Sequence, residues 1–215
     1  MGPVATGRTI PGWCPTFGDL RSDAYVLLAA LLGPPPTEGL LHIVRNLAWD
    51  GPLPGTLERS LAGLRRAGAE HPLPVVEDEH RVLFVGLGSG EVVPYASWYR
   101  ERTLQSLPLA ALRSDLLRLG LVRQAGCPEP EDHAGALCEI MALLSGPSSE
   151  VPLAHQAQVF GDHLAPWMGA FFGDLHGARG ASFYRAVGDF GARFLEAESR
   201  YFAFAPEWEP FTEGA

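Results

Sequence analysis

Between Leu20 and Tyr201 the apolar residues return every three or four positions, and Gly-Pro or Pro-rich breaks cut them into short lengths. No stretch of useful length alternates with period two, so a sheet has no material from which to form. Leu20, Ala24, Leu27, Leu28, Leu31 and Leu32 define a first helix, stopped by Gly33-Pro34-Pro35-Pro36, which no helix interior tolerates. Leu40, Leu41, Val44, Leu47 and Ala48 follow Thr37, a usable N-cap, and run toward Gly51-Pro52. Leu57, Leu61 and Leu64 repeat the pattern before Gly68, and Val75, Val76, Val82 and Leu83 continue it, although Val82 to Val85 alone fits a short strand. Leu109, Leu112, Leu116 and Leu119 follow Pro108, with Gly120 suited to a helix end. Further faces are Leu137, Ile140, Met141 and Leu144; Leu153, Ala157, Phe160 and Leu164; Phe171, Phe172 and Leu175 after Pro166; and Phe183, Val187, Phe190 and Phe194. The expectation is an all-α, single-domain bundle of eight or nine helices around one core.

At 215 residues the chain is long enough to bury a large core. Residues 18–204 are expected to form the domain. Residues 1–17 lack a continuous apolar stretch, residues 205–215 lack periodicity, and both are expected to be flexible appendages, with Trp208 and Phe211 leaving docking of the tail open. The longest apolar run, Ala24 to Leu32, has nine residues, whereas a membrane span needs about 20. A formal charge of −9 argues against nucleic acid and favours a basic partner. Cys14, Cys127 and Cys138 are odd in number and contain no CxxC, so neither a disulfide framework nor a structural zinc site is supported, and Cys138 reads as a small core residue. The cytoplasm is the natural compartment for such a chain.

Two segments do not look like ordinary core sequence. Leu83-Phe84-Val85-Gly86-Leu87-Gly88-Ser89-Gly90 leads through Pro94 into the aromatics Tyr95, Trp98 and Tyr99; Glu129-Pro130-Glu131-Asp132-His133 closes an acidic run on an adjacent Asp and His. The glycine loop lacks the Lys-Ser/Thr pair of a phosphate loop, since Glu91 follows it, and it lacks the spacing of a nucleophile elbow. A turn that lets backbone approach closely is the better reading. The acidic run can be read as a helix start, with Pro130 in the first turn and Glu131 and Asp132 complementing the dipole, although this leaves His133 unexplained. The three aromatics can equally be core residues. A metal-dependent hydrolase using Asp132 and His133 is a weaker alternative, because the other histidines show no ligand-like pairing and His155 and His163 stand two helical turns apart.

The arrangement resembles the TorD/DmsD-type molybdoenzyme chaperones, a superfamily that includes the NarJ branch. The resemblance rests on Leu-Phe-x-Gly at Leu83 to Gly86, Pro-Tyr-x-Ser-x-Tyr at Pro94 to Tyr99 and Glu-Pro-x-Asp-His at Glu129 to His133. Asp162-His163-Leu164-x-Pro166-Trp167 and Phe183-Tyr184 extend it over roughly residues 20 to 200. Some members carry Trp where this chain has Tyr95.

The resemblance implies an all-helical cytoplasmic protein that binds the twin-arginine signal peptide of a molybdenum-cofactor oxidoreductase of the dimethyl sulfoxide reductase family, or its apo catalytic subunit. Such a protein holds the precursor until cofactor insertion is complete and prevents premature export. Leu83, Phe84, Pro94, Tyr95, Ser97, Asp132 and His133 match positions implicated in signal-peptide binding, and Trp98, Tyr99 and Glu129 adjoin them. A basic leader with an apolar stretch needs carboxylates beside an apolar groove. On that reading Asp132 and Glu129 face the arginines, Leu83, Phe84, Tyr95 and Trp98 line the groove, and His133 is a hydrogen-bonding or pH-sensitive member. No catalysis, cofactor, metal or stable membrane insertion is implied, and the chain is expected as a monomer or domain-swapped dimer. A NarJ-like assembly factor that binds the catalytic subunit itself is the alternative in the same family.

Overall fold

The computed structural model describes residues 17–48, 53–85, 90–104, 106–123 and 129–203. The terminal segments 1–16 and 204–215, the loop glycines Gly86 and Gly88, Gly51-Pro52, and Cys14 and Cys127 lie outside the described residues, so the expectations placed on them stand as expectations. Among the described residues there are ten α-helices and no strand: α1 Phe17–Leu32, α2 Glu38–Arg45, α3 Gly55–Glu70, α4 Leu73–His80, α5 Ala96–Glu101, α6 Leu107–Arg118, α7 Ala134–Ser145, α8 Leu153–Val159, α9 Met168–Gly177 and α10 Phe183–Ala203. Two of them run on into a widened π-helical turn, α4 through Arg81–Val85 and α8 through Phe160–Leu164. None of these helices is long and apolar enough to cross a membrane.

Nine of the ten helices correspond to the nine periodic segments, and Thr37, Pro108 and Gly120 act as their chemistry requires, whereas Gly68 lies inside α3 and Pro166 stands two residues ahead of α9. Thr37 accepts Leu40 N–H at 3.2 Å as the N-cap of α2. Pro108 sits in the first turn of α6, and Gly120 after it adopts φ 71 in the left-handed region that glycine enters without penalty. Val82 to Val85 is not a strand: it is the π-turn that prolongs α4. The tenth helix, α5, lies within the Pro-Tyr-x-Ser-x-Tyr segment and has no periodic apolar face to announce it.

Helix α10 is the organising element, packed against α9, α3, α1 and α4, while α1 packs along α7. Its buried face carries Phe183, Tyr184, Val187, Phe190, Phe194 and Leu195. Its N-terminus is held by a carboxylate from elsewhere in the chain: Glu79 of α4 accepts the amides of Ser182, Phe183 and Tyr184 at 2.7, 3.0 and 2.6 Å, where the unpaired donors of a helix start favour an anion. Helices α9 and α10 approach so closely that a Cβ on Gly191 would stand 2.2 Å from the Phe172 ring. Gly191→Ala is therefore expected to cost about 1–3 kcal/mol by overpacking, checked as a lowered thermal midpoint without loss of helical circular dichroism in the folded baseline.

Candidate functional site

The two unusual segments meet. Tyr95 and His133 form an antiparallel bridge, with Ala96 N–H donating to the Asp132 carbonyl at 3.0 Å and Ala134 N–H to the Pro94 carbonyl at 2.8 Å. The Tyr95 and His133 rings meet edge to face, 5.1 Å between centroids. Trp98 and Tyr99 follow one turn along α5.

The acidic run divides its work among three helices. His133 is the N-cap of α7, its Nδ1 accepting Gly135 N–H at 3.1 Å, which leaves the proton of the neutral ring on Nε2. Asp132 accepts the Ser97 amide at 3.0 Å and the Ser97 hydroxyl on the same oxygen, so its carboxylate caps α5, not the helix that follows it in sequence. Glu131 takes Arg113 of α6 in a two-nitrogen contact at 3.0 and 2.8 Å; burial opposes its charge, but Arg113 prevails and holds its carboxyl below the ordinary range. Only Glu129 faces outward, accepting the Tyr95 phenol. Reading the run as the first turn of a helix therefore misplaces Pro130, Glu131 and Asp132, which all precede α7.

The Leu83-Phe84 turn joins the site from behind. The widened turn frees carbonyls that an α-helix would use internally, and the returning chain takes them: Val92 N–H donates to Leu83 O at 2.9 Å and Glu91 N–H to Val82 O at 3.3 Å. Gly90 makes this possible, because a Cβ there would fall 2.2 Å from Leu83 O. Phe84 packs edge to face on His80 and Tyr184, with centroids 5.1 and 5.3 Å apart. Glu91 reaches across to the α9–α10 turn and accepts Arg179 and Gly180 amides at 2.5 and 2.9 Å, which holds its carboxyl below the ordinary range.

An open groove of about 500 Å³ lies alongside, lined by residues of the 90–93 segment, by Trp98 and Tyr99 of α5, and by Gly173, Asp174 and Gly177 of α9. The residues proposed from sequence thus fall into two sets. Phe84, Tyr95, Trp98 and Tyr99 are half-buried and Glu129 is exposed, whereas Leu83, Pro94, Ser97, Asp132 and His133 are buried, Asp132 with 1% of its surface exposed. Asp132 does not present its charge to an incoming peptide in this state, and of Leu83, Phe84, Tyr95 and Trp98, expected to line the groove together, only Trp98 is part of this one. Sequence reasoning used Glu91 only to exclude a phosphate loop and missed Asp174 altogether; nothing near Asp174 marks it except its place after Phe171-Phe172-Gly173.

The geometry leaves the hydrolase alternative without a centre. Asp132 and His133 are spent as helix caps, and among the described residues no three His, Cys, Asp or Glu side chains converge as a metal site requires. His163, of the Asp-His-Leu-x-Pro-Trp motif, pairs instead with Asp115 at 2.7 Å while its carbonyl accepts the buried Trp167 indole at 2.7 Å.

Burial holds both His133 and His80 below the ordinary histidine range, His133 against the opposing charges of Glu129 and Asp132. The sign of the linkage follows. The unfolded chain takes up these protons first, near its ordinary value of about 6.5, so stability is full above that pH and falls as pH is lowered through it. The urea midpoint is expected to fall between pH 7.5 and 5.5, and to fall less in His80→Gln; equal drops in the two proteins would remove His80 from this account.

A family model described as nitrate reductase delta subunit matches residues 50–173, more than half of the chain, including both motif segments and Trp98 and Tyr99 of the groove wall. The chain belongs to that family. Among curated proteins it is similar to the chaperone protein TorD of Aliivibrio salmonicida (strain LFI1238), 28% identical over 131 residues; the match takes in 56% of this chain and 60%, less than two thirds, of that relative. The TorD-type resemblance read from the motifs and the family model agree. Among solved structures it is similar to a protein from Archaeoglobus fulgidus described as a redox enzyme maturation protein, with a TM-score of 0.58 and 16% identity, covering 88% of this chain and 99% of that one. That likeness supports the all-helical fold.

Proposed function

We propose that this delta-subunit-family protein is a cytoplasmic, non-catalytic maturation chaperone that binds the twin-arginine leader of a molybdenum-cofactor oxidoreductase and holds the precursor until its cofactor is inserted. The observation that carries this reading is that the Pro-Tyr-x-Ser-x-Tyr and Glu-Pro-x-Asp-His segments are bridged at Tyr95 and His133, while Trp98 and Tyr99 of the first line a groove that also holds the carboxylates of Glu91 and Asp174. A leader of this kind has a basic front and an apolar stretch, and such a wall answers both. The carboxylates draw the basic end, and the rings of Trp98 and Tyr99 offer apolar area with little side-chain entropy to lose. Turnover needs none of this.

A synthetic leader titrated into the full chain is expected to bind, and to bind more weakly as salt rises, because screening weakens the contact between surface carboxylates and guanidinium groups. No binding at low salt would refute leader recognition. A second reading, in which the chain binds the catalytic subunit itself, is favoured by the matching family's description as a nitrate reductase subunit. Capture of a leaderless catalytic subunit as efficiently as of the full precursor would select it.

A further inference from the structure

The two motif segments are tied together through the residues that open their helices. Tyr95 is the N-cap of α5 and His133 the N-cap of α7, and these two form the antiparallel bridge. His133 caps with a ring nitrogen. Its Nδ1 accepts Gly135 N–H at 3.1 Å in a close fit, since a Cβ on Gly135 would stand 3.2 Å from that nitrogen and 3.1 Å from Gly33 N. The usual capping side chains accept through an oxygen that does not titrate near neutral pH. An imidazole nitrogen accepts only while it is unprotonated, because a proton on Nδ1 turns it into a second donor aimed at the Gly135 amide. The groups around the ring decide where such a proton rests. Burial and His80 at the end of α4 oppose a charged His133, while Glu129 and Asp132 of its own segment favour it and the Tyr95 ring lies edge-on across the bridge. Asp132 is committed to Ser97 through Oδ2, whereas Glu129 is exposed and accepts the neutral Tyr95 phenol. His80 is the poorer proton site, because its Nε2 is buried without a hydrogen-bond partner among the described residues.

We propose that His133 is a proton-operated latch: neutral, it caps α7 and holds the bridge to Tyr95 closed; protonated, it leaves the cap and pairs with Glu129 in place of the Tyr95 phenol, which parts the two segments and uncovers Asp132. One proton passes from solvent to Nδ1, and only hydrogen bonds are exchanged. Each state has its own contacts, as a two-state element requires: the cap, the bridge and the phenol–carboxylate pair when closed, an imidazolium–carboxylate pair when open. Closed, the ring is held neutral by burial; released, it titrates near its ordinary value of about 6.5. The open form therefore gains on the closed one as pH falls through that value. The latch belongs to the fold and is independent of what the groove binds.

Amide hydrogen exchange of the full chain, without any ligand and expressed as protection factors at about pH 7.5 and 5.5, tests this. The amides of Ala96, Ala134 and Gly135 are expected to lose about tenfold in protection over that range, the factor by which a released ring titrating near 6.5 drives the opening. The loss is expected to be the same with and without low concentrations of urea, the mark of a local opening, whereas exchange of the buried α10 amides through global unfolding rises with urea. His133→Asn, whose carboxamide oxygen caps at both pH values, is expected to remove the urea-independent loss. Glu129→Gln, which takes away the partner of the released ring, is expected to reduce it. In wild type the His133 Cε1 proton resonance is expected to titrate with the same midpoint as the amide loss. A wild-type loss below about twofold, a loss that grows with urea as that of α10 does, or the same urea-independent loss in His133→Asn overturns the latch. An equal loss in Glu129→Gln overturns the exchange of partners. A His133 ring that stays neutral while protection falls overturns the assignment even if His133→Asn does not fold.

Discussion

Glu198→Ala is expected to lower the unfolding free energy by about 3–5 kcal/mol, because it strips the partner from a buried cation. Arg21 of α1 and Glu198 of α10 are 4% and 1% exposed and meet through two parallel contacts, Nε to Oε1 at 2.7 Å and Nη2 to Oε2 at 3.0 Å. Gln156 of α8 accepts from Nη1 at 3.1 Å, Tyr25 donates to Glu198 at 2.9 Å, and the rings of Tyr201 and Phe202 lie 4.4 and 4.8 Å from the guanidinium. Burial and the Glu198 charge raise the Tyr25 phenol well above its ordinary range, so it remains a donor. With alanine at 198 the buried guanidinium keeps, among the described residues, Gln156 and two ring faces. The measurement is the urea midpoint at neutral pH. The double substitution Arg21→Met with Glu198→Met is expected to recover most of the loss, since apolar side chains of similar volume often replace a buried pair without penalty. A single-variant loss under about 1 kcal/mol, the range of exposed pairs, would mean that Arg21 finds solvent once released.

This network also shows where sequence reading stops. Arg21 and Glu198 are separated by 177 positions, and each falls among helical residues where a charge ordinarily faces water, so nothing local marks either as buried. Helix boundaries were legible because they are decided locally: Gly33-Pro34 ends α1, Thr37 opens α2, and Gly120 closes α6 by adopting a backbone that other residues resist. Helix α5 was not, because its six residues depend on a carboxylate supplied from 35 positions downstream.

The site was legible in the same uneven way. Its two segments announced themselves through composition, and the bridge between Tyr95 and His133 brings them together. The division of labour within Glu129 to His133 was not announced, since four titratable residues within five positions offer no local reason for one to bind Arg113, one to cap α5 and one to cap α7. Burial decides it. Asp174 is the counterpart case: an ordinary surface acid of α9 in the sequence, it becomes part of the site only because α9 packs beside α5 and meets Tyr99.

Asp132→Ala is accordingly expected to act on stability first, by about 2–5 kcal/mol. Two donors, the Ser97 amide and hydroxyl, lose a buried ionised acceptor together, each such loss being worth about 1–3 kcal/mol. Asn retains one acceptor oxygen and is expected to cost about 1–2 kcal/mol, on the same scale. Either change loosens α5, which carries Trp98 and Tyr99 of the groove wall, so leader affinity is expected to fall because that wall is displaced. Salt separates this from a direct contact: a carboxylate buried beneath Ser97 contributes little to a screened encounter, whereas Glu129 and Asp174 at the surface contribute to it. The Asp132 variants are therefore expected to bind the leader more weakly with an unchanged salt slope and a lowered thermal midpoint. Glu129→Gln and Asp174→Asn are expected to flatten the slope while melting as wild type does. An Asp132→Asn protein that melts as wild type and loses its salt dependence would show that α5 opens on binding and that Asp132 meets the peptide after all.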